Sequence, residues 1–224
     1  MGDNWFNTNT WQRINYTLWA PLYDHFVRKV FGARRRRSLE LLEVQSGQRL
    51  LIVGAGTGLD LEYLPPALNL SITAIDLTPA MLRRLQARAR LLGLTVDTQV
   101  MDGQVLTFPD ASFDLVVLHL IMAVIPEPMR CIREVARVLR PGGRVVVLDK
   151  FIPDEQRPPW LMRLLNPLTR FGGTEITRKL GPILSEVPLR IVHQEPAGFH
   201  GFMKIVLLET TPASPGTRIG AGQE

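Results

Sequence analysis

Between residues 49 and 150, short β-rich runs alternate with helical patterns. This alternation is typical of βαβ units, because parallel strands need a long crossover connection that is usually a helix. Thr78-Pro79 supplies a helix start, and Pro141-Gly142-Gly143 supplies a tight stop before the fifth strand. We therefore predict an α/β fold with a doubly wound, mostly parallel sheet. Its strands are expected at 49–53, 71–75, 95–101, 114–119 and 144–150, and its helices near 58–64, 79–92 and 128–139.

Three segments flank this core. Residues 9–32 have apolar side chains near helical spacing and predict a helical pair broken at Ala20-Pro21. Residues 153–186 are rich in Pro and Leu, and two further strands are predicted at 190–194 and 202–209. Residues 211–224 are small and polar and predict a flexible tail. We therefore divide the chain into an N-terminal helical segment, 1–33, a main domain, 34–210, and the tail.

Composition excludes several classes of protein. The 224 residues are 46% hydrophobic and 21% charged, which is typical of a soluble globular chain. The single cysteine, Cys131, is expected to be buried packing in a reducing compartment. The longest apolar run, 115–126, is shorter than the roughly 20 residues of a membrane span, and the N-terminus does not resemble a secretory signal. The expectation is a cytoplasmic protein. No metal site is predicted, because His25, His193 and His200 lack the spacing of metal ligands.

A buried run, Leu50–Val53, leads directly into Gly54-Ala55-Gly56-Thr57-Gly58. Glycines allow a sharp turn and the close approach of a ligand, and the start of a following helix offers free N–H groups. This arrangement predicts a nucleotide-like ligand. Leu59 stands where the dinucleotide fingerprint has its third glycine, which argues against a nicotinamide dehydrogenase.

Two carboxylates follow successive strands. Asp76 ends the second predicted strand, 22 residues after Gly54, where a carboxylate can accept both hydroxyls of a ribose. Asp102 follows the third strand, within reach of an adenine amino group if the sheet is doubly wound. Each carboxylate alone is compatible with a turn residue. Together with the glycine loop they indicate a cofactor that contains adenosine.

Several motifs in this order resemble those of the class I S-adenosylmethionine-dependent methyltransferases. The resemblance covers about residues 45–150 and implies a seven-stranded Rossmann-like sheet whose last two strands form a reversed hairpin. It implies S-adenosylmethionine as cofactor and S-adenosylhomocysteine as product. The motifs are Gly54–Gly58, Ile75–Leu82, Phe108-Pro109-Asp110 with Phe113-Asp114, and Val138–Gly143.

The same resemblance assigns the cofactor site. It implies that three glycines surround the methionine part of the cofactor, that Asp76 binds the ribose and that Asp102 lies beside the adenine. Many members carry an acid two residues before the first glycine, where this chain has Ile52, so one contact at the methionine end departs from the pattern. The expected cofactor-binding residues are Gly54, Ala55, Gly56, Thr57, Gly58, Asp76, Leu77, Asp102, Gly103 and His119.

The flanks resemble the bacterial phosphatidylethanolamine N-methyltransferases and the quinone methyltransferases. This resemblance implies a lipid or lipid-like methyl acceptor, with polar side chains at the ends of the fourth and fifth strands. The residues that carry it are Trp19–Asp24, Phe31-Gly32, His119–Pro128 and Asp149-Lys150-Phe151.

The N-terminal segment combines rings with positive charge. Residues 1–31 hold eight of the sixteen aromatic residues, next to Arg28, Lys29 and the run Arg34–Arg37. Such a helix is suited to a membrane surface with anionic lipid, on the inner face of the membrane. In the alternative interpretation the rings form a lid on the core and the arginines are a solvated face. No second basic stripe or base-stacking pattern accompanies them, so nucleic acid is not an expected partner.

Three residues are candidates for catalysis. The ring of Tyr23 is expected to close over the cofactor and its hydroxyl to hold the acceptor. His119 ends the fourth strand and Asp149 and Lys150 end the fifth, where open α/β sheets bind ligands, so either Asp149 or Lys150 is expected to face the acceptor. The alternative for each is packing in the core. Residues 153–186 are expected to form an apolar insertion on the acceptor side, and His200 either borders that pocket or lies in a plain loop.

The leading hypothesis is therefore an S-adenosylmethionine-dependent methyltransferase that N-methylates phosphatidylethanolamine at the membrane surface. Two alternatives stay open. In the first alternative, the acceptor is a quinone precursor or another small apolar or amine molecule. In the second, the chain is a regulatory module that binds the cofactor without turnover.

Overall fold

The computed structural model describes residues 28–155, 164 and 174–211, with the exception of the His200 side chain. The expectations for Tyr23, for the break at Ala20-Pro21, for the tail and for most of 156–173 lie outside the described residues. They stay predictions.

Seven strands of the described chain form one sheet in the order β3-β2-β1-β4-β5-β7-β6. Only β7 runs against the others, because it pairs antiparallel with both β5 and β6. The predicted seven-stranded, doubly wound sheet with a reversed hairpin is confirmed. The strands are β1 (Arg49–Val53), β2 (Ser71–Asp76), β3 (Val96–Val100), β4 (Phe113–His119), β5 (Leu139–Lys150), β6 (Leu189–Pro196) and β7 (Met203–Thr210).

The start of β5 differs from the prediction. The strand was expected at residue 144, after the Pro-Gly-Gly turn, yet it begins at Leu139. Leu139 already pairs with Phe113, and the register then shifts before Leu115 pairs with Arg144. Gly142, at φ 76°, lets the chain make this irregular turn inside the strand.

Four α-helices are described. Residues 28–42 are the described part of α1, and α2 and α3 follow close to their predicted places; three short 3₁₀ helices are also described. The helix expected near 58–64 is 3₁₀ rather than α, because Pro65 and Pro66 follow and do not continue an α-helix. The bounds are α2 (Pro79–Leu91), α3 (Pro128–Val138), α4 (Leu180–Leu184) and 3₁₀ helices at Leu59–Tyr63, Pro66–Leu68 and Phe199–Gly201.

Helix α1 runs without a break across the proposed boundary between residues 33 and 34. The division into segments stays a prediction, but the described part of the N-terminal segment is continuous with the main domain. Of the helices that the structure describes, none is both long enough and apolar enough to cross a bilayer.

The core has two layers, one on each face of the sheet. Alternate residues of β1 point to opposite faces, so Leu50 and Ile52 pack with α1 and α2, whereas Leu51 and Val53 pack with α3 and α4. Strand β4 is buried along its whole length, as expected for a central strand covered on both faces. This packing fixes the carboxyl ends of β1, β2 and β4 at one edge of the sheet.

Candidate functional site

The glycine loop leaves β1 at this edge in left-handed backbone. Gly54, Gly56 and Gly58 have φ values of 67°, 56° and 77°, a region that side-chain-bearing residues seldom adopt. A β-carbon at Gly54 would stand 2.6 Å from Ile121 Cδ1, whereas a β-carbon at Gly56 would meet nothing within 4 Å. The loop is therefore packed at its first glycine and open at its second, which is the shape of a cradle for a ligand.

Asp76 joins this loop to the start of α2. Its Oδ2 accepts a hydrogen bond of 2.9 Å from the Gly56 N–H, and its Oδ1 accepts one of 2.8 Å from the Thr78 N–H. Burial raises the pKa of Asp76, and the two backbone hydrogen bonds offset part of that rise. The carboxylate is thus held at the end of β2, where the sequence places a ribose ligand.

The other predicted neighbours lie around the loop. The Ala55 N–H donates to the Ile75 carbonyl at 2.9 Å. Arg88, from α2, donates to the Thr57 carbonyl and, at 3.1 Å, to Thr57 Oγ1. Leu77 is half-buried between β2 and α2. These contacts fix the loop from outside while Gly56 stays open.

Asp102 stands at the end of β3 and is held by a neighbour that the sequence analysis missed. Its Oδ1 accepts from the backbone N–H of Gln104 at 2.9 Å, and both carboxylate oxygens accept from Gln104 Nε2. The Gln104 Oε1 in turn accepts from the Glu127 N–H at 2.8 Å. Next to it, a β-carbon at Gly103 would clash with Val53. The structure thus brings Asp76, Asp102 and the glycine loop to one edge.

His119 differs from its predicted role. Its side chain is buried, its Nε2 lies 2.7 Å from Ser38 Oγ and its Nδ1 lies 2.6 Å from Asp60 Oδ1. Both ring nitrogens are therefore occupied by protein atoms. A direct contact with cofactor or acceptor does not fit this geometry, and the alternative of a satisfied core histidine does.

Asp149 is likewise turned inward, with 0% of its surface exposed. Its Oδ2 accepts from the Ala123 N–H at 3.0 Å and its Oδ1 accepts from the Lys150 N–H at 2.8 Å. Burial raises the pKa of Asp149, opposed by these hydrogen bonds and by the charge of Lys150. This burial does not fit the expectation that Asp149 faces the acceptor. The carboxylate instead binds the backbone of the loop that follows β4.

That loop shapes the rest of the edge. Leu120 adopts φ 58°, a strained value for a residue with a side chain, and Ile121 follows it above Gly54. From the predicted acceptor-side insertion, Glu175 N–H donates to the Ala123 carbonyl at 2.7 Å and Arg178 donates to the Ile125 carbonyl at 2.5 Å. The described end of the insertion therefore contacts the loop that covers the site.

The arginine run does not act as one surface. Arg34 donates to the carbonyls of Val30 and Ala197, Arg35 is buried against Asp60, and Arg37 makes a two-point pair with Glu195. Only Arg36 of the four is exposed without an ion pair in the described structure, and it lies 5.7 Å from the Tyr63 ring centre. The expectation of a single cationic cluster at 34–37 is therefore wrong, because the helix turns its successive residues to different faces.

Other expected residues have simpler outcomes. Cys131 is fully buried, which confirms the packing interpretation, and burial together with Asp102 and Glu134 raises its pKa to about 12. His193 lies 2.8 Å from Glu195. Among the residues described, no group of three or more His, Cys, Asp or Glu is arranged to hold a metal ion.

Four further residues of the site were missed in the sequence. Ser38 and Asp60 partner His119, Gln104 holds Asp102, and Ile121 covers Gly54. A signal for Ser38 was present, since it stands among the apolar residues of the buried stripe of α1. Ile121 gave no signal, because its position depends on the left-handed turn at Leu120.

The edge as a whole fits S-adenosylmethionine. The open glycine cradle suits the approach of a ligand to the backbone, and two carboxylates at the ends of neighbouring strands suit the hydroxyls and the amino group of an adenosine. The residues that would hold the cofactor are those of the glycine loop with Asp76 and Asp102, whose contacts with it stay predictions.

Comparisons with known proteins agree with this geometry. The model of the methyltransferase domain family matches residues 51–147. A phosphatidylethanolamine N-methyltransferase of Cereibacter sphaeroides is 34% identical over 90% of this chain and 91% of that protein. A demethylmenaquinone methyltransferase of Thermus thermophilus is 35% identical over 58% of this chain and 61% of that protein.

A solved structure shares the fold. Geranyl diphosphate C-methyltransferase from Streptomyces coelicolor, solved with S-adenosyl-L-homocysteine, superposes with a TM-score of 0.66 over 81% of this chain and 76% of that one. The identity is 15%, so the likeness concerns the fold alone.

Proposed function

Because this chain belongs to the S-adenosylmethionine-dependent methyltransferases, we propose that it methylates the amine of a phospholipid headgroup, phosphatidylethanolamine, at a membrane surface. The observation that carries the proposal is the likeness to the phosphatidylethanolamine N-methyltransferase, which extends over 90% of this chain. That likeness includes the flanks outside the region 51–147 that the family model matches, and function depends on the particular site rather than on a shared fold.

The described surface next to the site supports a lipid acceptor. Arg28 and Lys29, on α1, are exposed, and so is Arg36. Phe199 is 54% exposed in the turn before β7 and lies 6.3 Å from the ring of Phe31 on α1. Aromatic rings with basic side chains nearby suit an interface with anionic lipid. We propose that this surface and the aromatic side chains within residues 1–27 contact the membrane on its cytoplasmic face.

The chemistry places modest demands on the protein. The bound cofactor supplies a methyl group on a positively charged sulfur, which is already an activated leaving group. The chain has to orient the acceptor nitrogen in line with that bond and exclude water. The loop 120–125, which is hydrogen-bonded to Asp149 and to residues 175–178, forms a wall for this purpose.

The acceptor amine has to lose a proton before it attacks. His119 and Asp149 do not offer a free basic atom to the acceptor, because protein groups occupy both ring nitrogens of His119 and the Asp149 carboxylate is fully buried. Tyr23 keeps its proposed place as the residue that closes over the cofactor and holds the acceptor.

A quinone precursor is the second candidate acceptor. The demethylmenaquinone methyltransferase of Thermus thermophilus is 35% identical to this chain, although over only 58% of it. Because a quinone precursor is also lipid-like, an apolar wall next to the site fits either molecule. The acceptors differ in the reacting group, which is an amine in one and a ring carbon in the other.

Transfer of labelled methyl tests the proposal. The purified chain is incubated with methyl-labelled S-adenosylmethionine and anionic vesicles that contain phosphatidylethanolamine, and the lipids are then separated. We expect label in the methylated headgroup. Matched reactions contain phosphatidylglycerol vesicles alone, soluble phosphoethanolamine, or a reduced demethylquinone in the same vesicles. Label only in the quinone would contradict the proposal, and label in soluble phosphoethanolamine alone would contradict its membrane part.

A further inference from the structure

A cluster of four polar side chains lies buried behind the glycine loop. It consists of Arg35, Ser38, Asp60 and His119, called here the anchor cluster. Arg35 Nη1 lies 2.5 Å from Asp60 Oδ1, which is also 2.6 Å from His119 Nδ1. Ser38 Oγ lies 2.7 Å from His119 Nε2 and 2.8 Å from the Arg35 carbonyl. All four residues are at least nine-tenths buried.

The positive groups of the cluster favour the ionised form of the Asp60 carboxylate. Burial alone would raise the pKa of Asp60, but Arg35 and His119 outweigh it and hold that pKa well below its ordinary value. Removal of Arg35 would therefore leave a buried negative charge with one partner fewer.

Packing alone does not account for such a cluster. Arg35 and Ser38 occupy the buried face of α1 beside Leu39 and Leu42, where an apolar side chain would pack at no desolvation cost. Arg35 Nε is buried and has no hydrogen-bond partner among the described residues, which is a further cost. A polar cluster kept at such positions indicates a requirement other than packing.

The cluster connects three elements that surround the cofactor site. Asp60 follows the last glycine of the loop by two residues. His119 ends β4 and immediately precedes Leu120 and Ile121, the latter of which covers Gly54. Arg35 and Ser38 belong to α1, whose described residues follow the aromatic-rich stretch 1–27 in the sequence. The cluster therefore ties α1 to both walls of the glycine cradle.

We propose that the anchor cluster positions the glycine loop and the β4 end, so that affinity for S-adenosylmethionine depends on α1 being docked. Its members are positioning residues, since their polar groups face one another. By linkage, a cofactor that binds the ordered loop also holds α1 in place. The proposal rests on the cofactor and not on the identity of the methyl acceptor.

The test compares two arginines one half-turn apart on α1. Arg35→Met removes the buried pair with Asp60, and Arg37→Gln removes the exposed pair with Glu195. Each variant removes one ion pair between α1 and the rest of the protein, but only Arg35 belongs to the anchor cluster. Arg35→Lys is the conservative variant, because an ammonium group keeps the charge opposite Asp60. The measurements are the dissociation constant of S-adenosylmethionine by calorimetry, the melting temperature, and the hydrogen exchange of amides 54–61 without cofactor.

We expect Arg35→Met to weaken cofactor binding by about tenfold, which is a coupling of ordinary size for residues without ligand contact, and to speed exchange at 54–61. Arg35→Lys should recover most of the affinity, and Arg37→Gln should bind as the wild type does. A lower melting temperature with an unchanged dissociation constant would overturn the proposal.

Ser38→Ala provides a second test if Arg35→Met does not fold. It removes one hydroxyl from the His119 side of the cluster and keeps the charges. We expect it to weaken cofactor binding by about threefold. Wild-type affinity in a folded Ser38→Ala protein would overturn the proposal. Cofactor binding needs no methyl acceptor, so this result is independent of the phosphatidylethanolamine assay.

Discussion

The side chain of Ile121 lies directly over Gly54, since a β-carbon placed on Gly54 would stand 2.6 Å from Ile121 Cδ1. The contact joins the end of β1 to the loop after β4, two elements that neighbour each other in the sheet but lie far apart in the sequence. Gly54 is also held at φ 67°. Both the space and the backbone at this point therefore favour glycine.

Gly54→Ala should lower the free energy of unfolding by about 1–3 kcal/mol for the strained backbone, with a further cost for the contact with Ile121. Chemical denaturation measures it. Gly93→Ala is the matched control, because Gly93 has φ 68° and nothing within 4 Å of its β-position. An equal loss of unfolding free energy in the two variants would mean that the Ile121 side chain moves aside at no measurable cost. Adding Ile121→Ala should restore only the part of the loss due to the contact.

Gly56→Ala tests the open cradle. Gly56 and Gly93 both have positive φ and open space at the β-position, so their alanine variants should lose similar stability. Only Gly56 lies where the cofactor is expected. We predict that Gly56→Ala weakens binding of S-adenosylmethionine by at least about tenfold, as a methyl group would intrude on the ligand, whereas Gly93→Ala binds normally. Calorimetry on both proteins decides it, and equal affinities would refute the placement of the cofactor.

Asp76→Asn tests the ribose carboxylate. The amide keeps the shape of the side chain but accepts fewer hydrogen bonds, so cofactor binding should weaken by about 1–3 kcal/mol. Asp97→Asn, at an exposed position on β3, is the control for the loss of one negative charge. Unchanged affinity in Asp76→Asn would remove Asp76 from the cofactor site.

The dependence of the unfolding free energy on pH in acid tests whether Asp60 is ionised in the folded protein. Its pKa in the folded protein is lower than in the unfolded chain, so it contributes stability above its ordinary pKa, and that contribution is lost as the pH falls through and below about 4. The wild type should therefore lose stability more steeply in this range than Asp60→Asn does. Denaturant titrations from pH 6 to about pH 3 give the two slopes. Parallel slopes would mean that Asp60 is not held ionised by Arg35 and His119.

Vesicle binding tests the membrane surface. Replacing Arg28, Lys29 and Arg36 by Gln should reduce affinity for anionic vesicles by about fivefold for each charge at low salt, with cofactor affinity unchanged. The control replaces Arg83, Arg84 and Arg90 on α2 by Gln, which removes the same charge from another surface. If the two triple variants lose equal affinity, attraction is set by net charge and not by the proposed surface.

The sheet could be predicted because its signals are local. Apolar runs, the glycine turn and the prolines at the starts of α2 and α3 are read within a few residues, so the element order and the first strand, Arg49–Val53, agree with the structure. The start of β5 at Leu139 could not be predicted in this way. It depends on pairing with Phe113, a residue on another strand.

The residues of the candidate site likewise fall into those with a local sequence signal and those whose position depends on distant partners. The glycine loop and Asp76 are recognised by order in the sequence and lie together at one edge. His119 was assigned by its place at a strand end, but whether a side chain there faces a ligand or the core depends on partners such as Ser38, 81 residues away. The arginines of α1 were read as one charge run. Their separate roles follow from which faces of the helix meet the sheet and Asp60.

The most direct measurement of the central claim is mass spectrometry of the lipids after the purified chain has acted on phosphatidylethanolamine vesicles with a deuterated-methyl cofactor. Our account predicts a mass increase in the headgroup fragment, whose multiples count the methyl groups transferred, and an unchanged acyl fragment. If the headgroup is unlabelled in a protein that binds the cofactor, the phospholipid amine is not the acceptor and the claim fails.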